Sequence, residues 1–112
     1  MKTSNFWNID KNNIEQYVSI AAKCPDWYKG REYKKLAPKY WFFKKYKEDG
    51  DEEFYTEQYK KEVLDKLDPE VVFNELGETS IIICWEPYNK FCHRFIVAEW
   101  LSKELGIKIK EV

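Results

Sequence analysis

The sequence predicts an α/β domain with a small, mainly parallel sheet of three or four strands flanked by helices, and three observations carry that expectation. Ile81, Ile82 and Ile83 form an unbroken β-branched run of the kind found in strands covered on both faces. Downstream, Val97, Trp100, Leu101 and Leu105 recur at helical spacing, and Gly106 supplies a stop. Ile107 to Val112 then alternates apolar with charged residues, which completes a C-terminal β-α-β unit with parallel strands.

Taken in order, Met1 to Asp10 offers Phe6, Trp7 and Ile9 as a short edge strand. Tyr17 to Ala22 is the better strand, because Tyr, Val and Ile favour a pleated, half-buried surface, and Pro25 takes the chain out of the sheet. Asp26 to Ala37 shows no clean period and reads as an irregular excursion. Pro38 suits a helix start, and Lys39 to Lys47 is expected to be a short helix carrying Trp41, Phe42, Phe43 and Tyr46. Asp51 is an N-cap candidate, with Glu52 and Glu53 set against the positive end of the next helix. Tyr55, Tyr59, Val63 and Leu67 share one face of that helix. Asp68 and Pro69 restart the pattern as N-cap and first helical residue, and Gly77 ends it before the isoleucine run.

At 112 residues the chain fits one domain, 1–112, and a domain of that size buries roughly two-thirds of the surface its unfolded chain exposes. Charged residues at 35% and aromatic residues at 18% exclude the disordered class. Neither a long apolar run nor a signal-like amino terminus is visible, so the expectation is a cytoplasmic protein with no membrane contact. Three cysteines, Cys24, Cys84 and Cys92, are an odd number, which favours reduced thiols over a disulfide framework. The net charge of -1 argues against wholesale polyanion binding, yet it hides an asymmetry. Lys29 to Lys47 holds eight bases against one acid, and Glu48 to Glu78 holds twelve acids against three bases.

Chemistry concentrates after the isoleucine run. Cys84, Trp85 and Glu86 follow the strand, and Cys92, His93 and Arg94 open the last helix. In parallel sheets ligands bind beyond the carboxyl ends of the strands, where Lys23 also falls. Free amides at a helix start and the guanidinium fork of Arg94 suit an anion, with Lys23 as a second cation. The competing structural reading has Arg94 clamping Glu86 across the loop. A thiol at a helix start beside a cation has its pKa lowered, so Cys92 is the candidate nucleophile, with His93 and Glu86 to move a proton. Against this, consecutive residues within a helix point about 100° apart, and a free cysteine is also among the most buried residue types. A zinc set of three cysteines and the single histidine is disfavoured, because no two cysteines sit two residues apart and adjacent Cys92 and His93 would strain to share an ion. Neither a metal nor another cofactor is expected.

The segments Cys84-Trp85-Glu86-Pro87, Phe91-Cys92-His93-Arg94 and Ala98-Glu99-Trp100-Leu101 resemble the C-terminal signature of the family known as domain of unknown function 488. Val18-Ser19-Ile20-Ala21 with Pro25, Leu36-Ala37-Pro38, and Glu57 to Leu64 as the family's tyrosine-containing helix agree with it, whereas Met1 to Glu15 has no residue-by-residue match. The resemblance implies an α/β fold with a pocket near the Cys-His-Arg segment and specifies no reaction. The functional expectation is a pocket spanning residues 84–94 that binds a small anionic or nucleotide-like ligand, with thiol-based chemistry. The alternative is a non-catalytic module that grips nucleic acid through the basic, ring-rich stretch 29–47.

Overall fold

The computed structural model describes all 112 residues. Five parallel strands form one sheet: β1 (Lys2–Asn5), β2 (Tyr17–Ser19), β3 (Arg31–Glu32), β4 (Ile81–Cys84) and β5 (Lys110–Glu111), in the order β3-β2-β4-β1-β5. Four helices accompany it: α1 (Tyr40–Asp49), α2 (Glu52–Glu62), α3 (Pro69–Leu76) and α4 (His93–Leu105). No helix is long and apolar enough to cross a membrane.

The isoleucine run is the centre of the sheet. β4 is hydrogen-bonded to β2 on one side and β1 on the other, with Ile82 opposite Val18 and Thr3, and all four of its residues are buried. Ile82 and Ile83 join Val18, Ile20, Val97 and Leu101 in a single apolar core. The helices follow their local signals. The side chains of Asp51 and Asp68 accept hydrogen bonds from the amides of Phe54 and Glu70, capping α2 and α3. Gly50 and Gly106 close α1 and α4 in the left-handed conformation, where a Cβ would be strained.

Two expectations about the sheet need correction, and a third is present with one strand more. The sheet has five strands, because Arg31–Glu32, within the stretch read as irregular, pairs with Val18 and Ser19 of β2. The N-terminal strand is Lys2–Asn5 rather than the ring-bearing residues after it, and it lies inside the sheet, while Phe6–Asn8 forms a 3₁₀ turn. The C-terminal β-α-β unit is present with β5 parallel to β4, and β1 is inserted between the two. The physical reason is that β1 is polar yet buried. Thr3 Oγ1 donates to Glu111 at 2.6 Å, Ser4 Oγ donates to the Val112 carbonyl at 2.8 Å, and Asn5 Oδ1 accepts from the Trp7 amide at 2.9 Å. Hydrogen bonding to the C-terminal segment thus substitutes for side-chain hydrophobicity.

Candidate functional site

β2 and β4 run side by side and deliver Ala21–Lys23 and Cys84–Glu86 to the same edge of the sheet, where α4 begins. α1 supplies the facing wall. Together they enclose a cavity of about 580 Å³, within the roughly 300–1,000 Å³ typical of small-molecule sites. Cys84, Cys92 and His93 form its buried end, and Tyr40, Phe43, Tyr46, Trp85 and Phe91 are among its ring-bearing walls. Lys23, Lys47 and Glu86 line the accessible part, with Lys47 Nζ 3.7 Å from a Glu86 carboxylate oxygen.

His93 sits at the first position of α4 and is 7% exposed. Its Nε2 lies 2.7 Å from the Ile20 carbonyl, an oxygen that only accepts, so Nε2 carries the proton and Nδ1 is a bare lone pair. Burial pushes the imidazole down to about 4, against the Ile20 hydrogen bond and with help from neighbouring Arg94. The ring is therefore neutral at pH 7. Nδ1 is 3.8 Å from Cys92 Sγ, so the two adjacent side chains face each other. The 100° rule does not apply across this pair, because Cys92 is the N-cap, with extended backbone at φ -153° and ψ 147°.

The Sγ atoms of Cys84 and Cys92 are brought together at the buried end of the cavity, a meeting in space that the cysteine count does not show. A count fixes parity, whereas the fold fixes proximity: β4 ends where α4 begins. Cys24 remains free, its Sγ 3.1 Å from Ser19 Oγ, and burial pushes its thiol pKa up.

Arg94 occupies a different position from the one expected. It is fully buried and lies behind the cavity, outside its lining. Its Nε and Nη2 donate to the two carboxylate oxygens of Glu111 at 3.1 and 2.8 Å. Nη1 donates to the Glu86 carbonyl at 2.7 Å and to Cys84 Sγ at 3.2 Å. The proximity of Arg94 and Glu86 is real, but the contact is with the main chain, and the carboxylate in the clamp is Glu111. The guanidinium also attends Cys84 rather than Cys92. Glu111 was invisible as a site residue because, in sequence, it is only one acid in an alternating terminal strand.

The ring-rich basic stretch divides between structure and cavity. Four of its eight bases, Lys34, Lys35, Lys45 and Lys47, are in ion pairs, and Arg31 donates to the carbonyls of Glu75 and Leu76. Phe42 is fully buried, while Tyr40, Phe43 and Tyr46 turn to the cavity. Sequence reasoning also missed a cluster at this end of the sheet, where Trp7, Trp27 and Trp85 gather around Phe6 with ring centres 5.1 to 6.2 Å apart.

A parallel sheet with a ring-walled cavity and a Cys-Cys-His group at its strand ends defines an α/β protein with a cavity at the carboxyl edge of its sheet. Residues 14–105 match the family described as the active DUF488-N3 subclade, and the chain belongs to that family. The matched span contains Lys23, Cys84, Glu86, Cys92, His93 and Arg94, whereas β1 and Glu111 lie outside it. No curated protein and no solved structure matches the chain.

Proposed function

We propose that the cavity binds a small anionic, nucleotide-like ligand and presents it to thiol-based chemistry at its buried end. The observation that carries this reading is the lining itself: flat aromatic walls, two lysines at the accessible part, and a sulfur pair with an imidazole behind them. Every nucleobase has a π-face that stacks on aromatic rings, and Lys23 and Lys47 place positive charge where a phosphate would emerge. The chemistry needs both cysteines as free thiols. Where the pair has oxidised to a disulfide, a thiol reductant restores it, its own sulfurs leaving as a disulfide while each cysteine gains one proton. Cys92 is then the nucleophile. His93 Nδ1, whose lone pair lies 3.8 Å from Cys92 Sγ, accepts the thiol's hydrogen bond and takes up its proton only as the bond to the ligand forms. Glu86 at the accessible part of the cavity is the second proton carrier, and Arg94 stabilises negative charge on the Cys84 sulfur. A cytoplasmic site of action fits this reading, since thiols are kept reduced there.

Calorimetric titration of adenosine 5′-monophosphate into chelator-treated, metal-free protein is expected to give saturable binding. Lys23→Gln combined with Lys47→Gln is expected to weaken it about tenfold or more while leaving adenosine unaffected. If none of the adenosine, guanosine, cytidine and uridine monophosphates binds, the ligand class is wrong. The thiol chemistry has its own measurement. In reduced protein Cys92, which lines the cavity beside His93, should react with iodoacetamide faster than Cys24 or Cys84. Equal, slow labelling of all three would leave Cys92 a packing residue.

A further inference from the structure

We propose that Cys84, Cys92 and His93, when the two sulfurs are reduced, hold a thiophilic divalent metal ion of the Zn²⁺ type at the buried end of the cavity. The metal-bound form uses the same Cys92 sulfur and His93 Nδ1 as the thiol chemistry and is an alternative state of that site, so it rests on the pocket reading only in sharing the same cavity.

Four observations converge on it. The two Sγ atoms and a ring nitrogen of His93 all lie within 4.8 Å of one another. The Cα atoms of Cys84 and Cys92 are 7.3 Å apart, beyond the roughly 4.4–6.8 Å usual for directly bridged cysteines, a spacing that suits two sulfurs sharing an ion. His93 is oriented as ligating histidines are: its Nε2–H donates to the Ile20 carbonyl, which fixes the tautomer and aims the bare Nδ1 at the sulfurs. Arg94 Nη1 meets Cys84 Sγ at 3.2 Å, an outer N–H bond to a ligating thiolate, and Glu111 balances the guanidinium.

The charge balance is favourable in a buried place. Two thiolates cancel a 2+ ion, so the centre is neutral, and soft sulfur with imidazole selects Zn²⁺ over Mg²⁺ or Ca²⁺. Three protein ligands leave one tetrahedral position, on the side where all three residues line the cavity. That is the arrangement of a metal that accepts water or a ligand atom rather than of a closed structural site. Metal uptake needs the two cysteines as thiols, and the ion then displaces both thiol protons.

The test begins with wild-type protein reduced and freed of reductant under anaerobic conditions. Co²⁺ is expected to bind one per chain with thiolate-to-cobalt charge-transfer and tetrahedral ligand-field bands, and Zn²⁺ is expected to displace it. Cys24→Ser should bind as wild type. Cys84→Ser and Cys92→Ser should each lose the two-thiolate spectrum, and His93→Gln should weaken binding by more than the roughly 10–100-fold that loss of an outer-shell partner costs. Because a buried variant can fail to fold, a second readout uses wild type alone: Zn²⁺ should protect Cys84 and Cys92, but not Cys24, from iodoacetamide, as read by mass spectrometry. Absence of a stoichiometric cobalt spectrum in the reduced wild type, or no protection of the two cysteines, overturns the proposal. Nucleotide binding is measured on metal-free protein, so the metal inference and the pocket reading fail separately.

Discussion

Arg94→Met is expected to cost about 3–5 kcal/mol of folding stability, because it removes one partner of a buried ion pair and leaves the other without its counter-charge. Arg94 is fully buried and Glu111 is only 19% exposed, so water compensates little. The same carboxylate also accepts from Thr3, so the pair ties the start of α4 to β1 and β5. Arg94→Lys keeps the charge but loses the planar fork and is expected to cost about 1–3 kcal/mol. Urea unfolding of Arg94→Met, Glu111→Gln and the double variant should give a coupling energy above about 1 kcal/mol. Glu86→Gln should leave stability unchanged, since only its main-chain carbonyl touches Arg94. Single variants at Arg94 and Glu111 within about 0.5 kcal/mol of wild type would remove the clamp from the account.

Raising the pH past about 10 is expected to destabilise the protein steeply, through tyrosines that the fold keeps protonated. Tyr55 and Tyr59 are 3% and 0% exposed, and burial pushes both hydroxyls well above the ordinary tyrosine value. Their stabilisation is fully present below the unfolded value near 10. It is lost as the pH rises from there toward the folded values, because the unfolded chain ionises first. Each tyrosine adds a slope of about 1.4 kcal/mol per pH unit, so the pair contributes roughly 3 kcal/mol per unit. Urea unfolding between about pH 9 and 11 measures the slope, and Tyr59→Phe should reduce it by one tyrosine's share. That variant should also cost about 1–3 kcal/mol at neutral pH by stripping the Leu36 carbonyl of its 2.6 Å donor. An unchanged slope in the Tyr55→Phe, Tyr59→Phe double variant would mean that other groups govern alkaline unfolding.

Local signals determined the elements that hydrophobic pattern and caps can specify. Ile81 to Ile83 had to be a covered strand, because three β-branched residues in a row have no polar face to turn to water. Asp51, Asp68, Gly77 and Gly106 bounded helices by chemistry that acts within a few residues. The same locality explains why the pocket edge was legible: a strand end, a short loop and a helix start keep residues 84–94 together in any parallel sheet.

What the sequence left open is what depends on partners far along the chain. Lys2–Asn5 carries no strand pattern, and it is a strand because Thr3 and Ser4 find hydrogen-bond partners at Glu111 and Val112, across nearly the whole chain. Arg94 was legible as a residue that either binds an anion or clamps Glu86, but its burial and its pairing with Glu111 belonged to the insertion of β1 between β4 and β5. The cysteine count gave parity, and the meeting of Cys84 with Cys92 came from the approach of β4 to α4. Composition and spacing thus determined a parallel α/β sheet with cysteines and charges at one edge, while the tertiary structure decided which charges and which sulfurs meet there, because such pairings are set by distance in space rather than along the chain.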